Sequence, residues 1–195
     1  MNVLVACECS GKVREAFRSR GHNSWSNDLQ PADDGSEYHY HGDCFEAIKA
    51  QKWDLIIMHP PCTCLAVSGN RWYGKGMPRH QDRLDSIQWT MRLWDTAVMQ
   101  CERVAMENPV GVIPMQATQY IQPWEFGHGE TKKTGLWLHG LPALKPTNIV
   151  DGREQRIWKM GPSADRAKVR SETYQGIADA MAEQWACVLQ EQGDE

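Results

Sequence analysis

The chain contains no apolar run that approaches the length of a membrane span, so no segment reads as a transmembrane helix. Its opening residues, MNVLVACECSG, have no basic stretch ahead of the apolar one and read as a first strand rather than a secretion signal. No cysteine pair has the C-x2-C spacing usual in structural zinc sites: the seven cysteines stand at Cys7/Cys9, Cys44, Cys62/Cys64, Cys101 and Cys187. An odd number of cysteines without a secretion signal points to free thiols in a cytoplasm, with no metal expected. Internal repeats and low-complexity tracts are absent. So is any excess of positive charge, the formal net charge being −4.

What is present suits a folded enzyme. The 195 residues are 41% apolar and 24% charged, enough for a buried core in one domain spanning 1–195. The charge is unevenly spread. Between Arg71 and Arg92 lie Arg71, Lys75, Arg79, Arg83 and Arg92 against Asp82 and Asp85, and residues 145–170 carry seven basic and three acidic side chains. The balancing acid lies at 28–46 and from Glu183 to Glu195. Such asymmetry fits an anionic partner; solvated helix faces would look the same.

Asn2–Cys7 and Trp53–Met58 are buried-strand patterns, with weaker strands at His22–Asn27, Tyr38–His41, Arg103–Met106 and Leu136–Leu138. Helical spacing predicts Gly11–Arg20 (Val13, Ala16 and Phe17 inward), Phe45–Ala50, Asp82–Cys101 (Leu84, Ile87, Met91, Trp94 and Val98) and Ser171–Gln190 (Ile177, Met181, Trp185 and Leu189). Ser68–Pro78 reads as a glycine-rich loop, and Glu107-Asn108-Pro109 as a turn. Strands alternating with helices imply an α/β fold, a three-layer sandwich around a mostly parallel sheet. Ligands bind beyond the carboxyl ends of such strands. The chemistry-bearing residues fall there: Cys7–Gly11, Asp28, Asp43, Pro60–Cys62 and Glu107–Asn108. Trp53, Trp89, Trp94, Trp137 and Trp185 read as core, while Trp72-Tyr73 would either stack on bases or anchor their loop.

Cys62 follows a buried strand and two prolines, which stiffen the chain as it leaves the sheet. A thiol there is either a nucleophile in the ligand crevice or a small hydrophobe at a strand end. Four segments then stand in a telling order. His59-Pro60-Pro61-Cys62, followed by Ser68-Gly69, resembles the Pro-Cys nucleophile motif of the DNA cytosine-5 methyltransferases. Met106-Glu107-Asn108-Pro109-Val110 resembles their Glu-Asn-Val motif, Trp25-Ser26-Asn27-Asp28 the acidic end of their second strand, and Gly42-Asp43 their Gly-Asp segment. The resemblance runs over about residues 1–140 and, more weakly, the C-terminal helix, and small phage proteins of this type look most alike.

That resemblance implies a class I, Rossmann-like methyltransferase fold, S-adenosylmethionine as cofactor, and DNA, duplex or single-stranded, or a free nucleotide as substrate. The setting would be the cytoplasm of a bacterium or a phage-infected cell. Cys62 would add to cytosine C6, and Glu107, carrying or sharing a proton, would bond N3 and the exocyclic amine. A base in a duplex would first be flipped out. Cys7, Glu8, Ser10 and Gly11, with Asp28, Asp43 and Pro60, would surround the cofactor: Asp28 at the ribose hydroxyls, Asp43 at the adenine amine. Asn108, Arg71, Arg79, Lys132 and Lys133 would face the substrate.

The sequence departs from the family at three places. Glu130-Thr131-Lys132-Lys133-Thr134 replaces an arginine-rich motif. Residues 141–170 are too few for a target-recognition domain, and Thr173-Tyr174-Gln175-Gly176-Ile177 only approximates a late Gly-Asn-Ser/Ala-Val signature. Two other functions therefore stay open: a non-catalytic module that binds DNA or a host protein, and an amino-methyltransferase, because His59-Pro60-Pro61-Cys62 borders on an Asp/Asn/Ser-Pro-Pro-aromatic pattern. His59 reads as a crevice wall or a base, with no partner to be named from sequence.

Overall fold

Apolar runs without polar alternation belong to strands covered on both faces, and Val3–Ala6 and Leu55–Met58 are fully excluded from solvent. In the computed structural model, which describes residues 1–161, 163 and 166–190, they form the centre of a seven-stranded sheet. Its strands are β1 (Asn2–Ala6), β2 (Asn23–Asp28), β3 (His39–His41), β4 (Leu55–Met58), β5 (Val104–Pro109), β6 (Gln119–Ile121) and β7 (Thr134–His139). The helices are α1 (Lys12–Arg18), α2 (Cys44–Lys49), α3 (Asn70–Tyr73), α4 (His80–Gln100), α5 (Arg156–Lys159), α6 (Arg166–Ser171) and α7 (Gln175–Gln190).

The strand order is β3-β2-β1-β4-β5-β7-β6, with β1 to β5 parallel and β7 antiparallel to both neighbours. The chain runs outward from β1 through β2 to β3 and then crosses back to β4, so the order reverses between β1 and β4. That reversal opens a crevice beyond their carboxyl ends. Strand residues alternate between two cores. Val3, Val5, Ile57, Ala105 and Leu136 pack with Phe17 of α1 and Ile177, Met181 and Trp185 of α7. Leu4, Ala6, Met58 and Met106 pack with Phe45 and Ile48 of α2 and Leu93 and Ala97 of α4. The result is the expected three-layer α/β sandwich.

Four local expectations are corrected. Glu107-Asn108-Pro109 is strand rather than turn, because β7 extends the pairing: Glu107 faces Leu136, Asn108 faces Gly135 and Pro109 faces Thr134. The loop after Cys62 holds a 3-10 turn at Val67–Gly69 and the short α3. The innermost face of α4 is Arg83, Thr90, Leu93 and Ala97, one position round from the expected stripe, and Leu84 is exposed. The last helix is two, α6 and α7, parted at Glu172–Tyr174, where Gly176 presses against the Phe126 carbonyl too closely for any Cβ. The expected core tryptophans Trp53, Trp137 and Trp185 are buried, and Trp89 and Trp94 pack partly buried against the α2/α4 side. The Leu189 side chain and the end of the acidic tail lie outside the described residues.

Candidate active site

At the β1 end the backbone turns hard. Cys7 has φ 60, the left-handed region that side chains other than glycine's rarely occupy, and Gly11 follows at φ 71. The Arg14 guanidinium lies against Gly11 where a Cβ would stand. Glu8, buried, accepts from the Ser10 hydroxyl (3.1 Å) and from the amides of Val13 (2.9 Å) and Arg14 (3.4 Å). A carboxylate on amides left unpaired by the first helical turn is a favourable cap. It thus organises the turn, with Ser10 as its partner.

Asp28 closes β2 and takes the Gln30 amide at 3.0 Å; Asp43 caps α2 through the Phe45 amide at 2.7 Å. Both carboxylates are close enough to Cys7 to raise its thiol pKa, after the larger effects of a hydrogen bond with Cys44 and of burial. The expected cofactor residues Cys7, Asp28 and Asp43 are therefore brought together at one edge of the sheet. Two acceptor carboxylates beside a permissive glycine turn suit a ligand rich in hydroxyls and amines.

At the β4 and β5 ends, His59 and Glu107 point to the α1/α7 side, continuing the alternation of Ile57 and Ala105. Their side chains meet, Nδ1 to Oε2, at 3.0 Å, only 8% and 12% exposed. Burial pushes the Glu107 pKa up, but His59 and Lys132 outweigh it, together with the Thr134 hydroxyl, and hold the carboxyl below its ordinary value. Cys62, half-buried, has its thiol pushed up by burial first and then by the Glu107 charge, against opposing pulls from Lys132 and Arg170. Cys62, Glu107 and Lys132 thus share one field. Asn108 emerges on the opposite side and donates to the Pro60 carbonyl at 2.8 Å, tying β5 to the Pro-Pro-Cys segment.

The other expected substrate residues are dispersed. Lys133 lies over the Tyr120 ring, 4.4 Å from its centroid. Arg71 stacks on Trp72, and Arg79 pairs with Asp82 at 2.7 Å. Lys132 and Lys133 also line a cleft of about 550 Å³ with Gln122, Gln155, Trp158 and Arg170. Among the described residues no group of three or more His, Cys, Asp or Glu side chains gathers in a way that would hold a metal ion, and no helix is long and apolar enough to cross a membrane.

Several contributors escaped sequence reasoning. Arg83, 5% exposed, donates to the carbonyls of Cys64 (2.7 Å) and Ala66 (3.2 Å) and to Asn70 Oδ1 (2.8 Å), fixing the loop that follows Cys62. A buried guanidinium is tolerable only with such partners. Its signal was its place one residue before Leu84, on a helix whose inward face was assigned a step too far round. Arg14 is fully buried and binds Ser26, Glu15 and Asp34. Glu130 accepts from Arg156 (2.9 and 3.0 Å) and from the Tyr174 hydroxyl (2.8 Å), joining the stretch before β7 to α5 and the start of α7. These pairings link residues 26–44 positions apart and carry no local signature.

No family model matches the chain, and no curated protein sequence does. Solved structures do. A methyltransferase of Entamoeba histolytica, EhMeth, superimposes with a TM-score of 0.52 at 12% identity, covering 84% of this chain and 61% of that one. A Dnmt2 methyltransferase of S. pombe matches at 0.47 and 11%, over 82% of this chain and 54% of that one. A candidate DNA modification methyltransferase encoded in an E. coli prophage matches at 0.47 and 13%, over 77% and 52%. The chain therefore spans between about half and three-fifths of the length of these structures. The sheet order and the Entamoeba superposition show the fold, a Rossmann-like α/β sandwich similar to that of the class I methyltransferases.

Proposed function

We propose that this chain transfers a methyl group from S-adenosylmethionine to C5 of cytosine in DNA, as a relative of the DNA cytosine-5 methyltransferases. The observation that carries this is the convergence of Cys62, in the loop after β4, and Glu107, in β5, in the field of Lys132. That grouping of a thiol, a carboxyl and a cation supports the reading, since folds of this kind bind ligands beyond the carboxyl ends of their strands.

Cys62, as thiolate, attacks C6 of the ring. Its raised pKa means that the thiol is protonated at rest, so it must lose its proton as the base arrives. Glu107, facing N3 and the exocyclic amine, receives that proton and passes it to N3, offsetting the negative charge that develops on the ring. The ring electrons released toward C5 would then form the new bond to the methyl group; loss of the C5 proton to solvent, expulsion of the Cys62 thiolate and return of the N3 proton to Glu107 restore aromaticity. The cofactor supplies that methyl as an electrophile. Asp28 and Asp43 would hold its ribose hydroxyls and adenine amine, and Cys7, Ser10, Gly11 and Pro60 would line the rest, with Glu8 shaping the turn. Lys132, Lys133 and Arg170, beside the exposed Trp158, offer an anionic polymer charge and a stacking surface. Arg71 and Arg79 would add outer contacts, and Asn108 would hold the nucleophile's segment in register.

The test is a mechanism trap. With S-adenosylmethionine and oligonucleotides containing 5-fluorocytosine, the fluorine cannot depart as a proton does, and the enzyme should stall as a covalent adduct at Cys62, read by intact mass. Cofactor binding without an adduct on single- or double-stranded substrate would refute C5 transfer to DNA.

A further inference from the structure

A carboxylate that must meet the N3 lone pair of cytosine has a difficulty: both are acceptors. Glu107 therefore needs a proton on one particular oxygen, the one facing the base. The site contains a device for choosing it. Oε2 is engaged by His59 Nδ1 at 3.0 Å, and the imidazole's other nitrogen, Nε2, is buried and has no partner among the described residues. A buried N–H without an acceptor is rarer than a buried bare acceptor, so the ring's proton belongs on Nδ1, where Oε2 receives it. That assignment makes Oε2 the acceptor and leaves Oε1 as the site where a proton can be added.

We propose that His59 is a positioning residue that locks the proton address of Glu107: its Nδ1–H holds Oε2, so that the proton Glu107 acquires sits on Oε1 and is donated to N3 of the target base. This rests on the C5-transfer reading. During attack the proton leaving the Cys62 sulfur is taken up at Oε1 and passed to N3 as sulfur bonds to C6, leaving a carboxylate that His59 still holds; no proton leaves the imidazole. The charged and titratable groups around the pair are Lys132, from the stretch before β7, and Cys62, from the loop after β4, on which Arg170 of α6 also acts. None of them is hydrogen-bonded to Nε2.

Two substitutions separate this role from simple filling of space. His59→Asn places an amide donor near the position of Nδ1, and His59→Leu fills similar volume without a donor. In 5-fluorocytosine adduct formation, His59→Leu should be slower than wild type by about 10²-fold, the scale of a lost preorganised hydrogen bond, and His59→Asn should recover most of that. Thermal melting should rank the two the other way, the apolar Leu being at least as stable. Equal rates for Leu and Asn, or Leu faster than Asn, would overturn the proposal. A second readout needs no turnover: long-range 1H–15N spectra of His59 should report the Nδ1–H tautomer in wild type. A Nε2–H tautomer there would overturn the proposal even in a protein that forms adducts. A wild-type protein that forms none, yet shows the Nδ1–H tautomer, would refute C5 transfer while leaving the lock on Glu107 in place.

Discussion

The two ends of the crevice are built by opposite means. At the β1–β3 end the acids at the strand ends are satisfied close by: Glu8 takes amides five and six residues on, and Asp28 and Asp43 each take an amide two residues on. At the β4–β7 end the contacts cross the chain. His59 meets Glu107 over 48 residues, and Lys132 donates to the Glu172 carbonyl over 40. The first end is turn chemistry, which any chain with those residues in that order can form. The second exists only once β5, β7 and the two last helices are assembled. A ligand bound mostly by shape can rely on the first kind, whereas acid–base chemistry needs the fixed distances that only the second supplies.

The sharpest way to break the comparison is Cys62→Ser. Under the proposed function, adduct formation and methyl transfer should fall by at least about 10³-fold, while affinity for S-adenosylmethionine, assigned to the other end, changes by less than about twofold, as expected for distant independent sites. Loss of cofactor binding in that variant would show that the two ends are one unit.

Glu130→Ala tests the long-range contacts themselves. It strands Arg156 and the Tyr174 hydroxyl, whose pKa is raised by burial and by Glu130. The expected destabilisation is about 1–3 kcal/mol in chemical denaturation, together with faster proteolysis between residues 150 and 174.

Glu107→Gln separates the charge from the shape. Removing the carboxylate should lower the Cys62 pKa and speed its alkylation at neutral pH roughly three- to tenfold, while Lys132→Met should slow it. Glu107 is also held below its ordinary pKa, so its contribution to stability is complete above the usual carboxylate range and is lost as pH falls through the lowered value. The stability difference between wild type and Glu107→Gln should shrink on acidification over that window.

Asp43→Ala, a local change, should remove one helix cap for about 1 kcal/mol, with the melting transition otherwise unaltered and the pH dependence of Cys62 alkylation unmoved.

The sequence by itself determined the α/β alternation, the parallel strands and the acids at their ends. Strand burial and turn residues act over spans of a few positions, and Val3–Ala6, Leu55–Met58, Asp28 and Asp43 stand where that pattern predicts. The placement of Cys62 just beyond a buried strand was legible because two prolines stiffen the chain as it leaves the sheet, while its proposed role came from the family resemblance. Only the tertiary structure decided that Glu107 lies within a strand, since β7 had to pair with it, and that His59 has a partner at all. It alone turned Arg83 inward, gave Arg14 its acceptors and brought Lys132 rather than Lys133 under Glu107. Each of those depends on which distant element arrives alongside. The preference of a buried charge for a counterpart is strong, but sequence alone does not say where in the chain that counterpart lies.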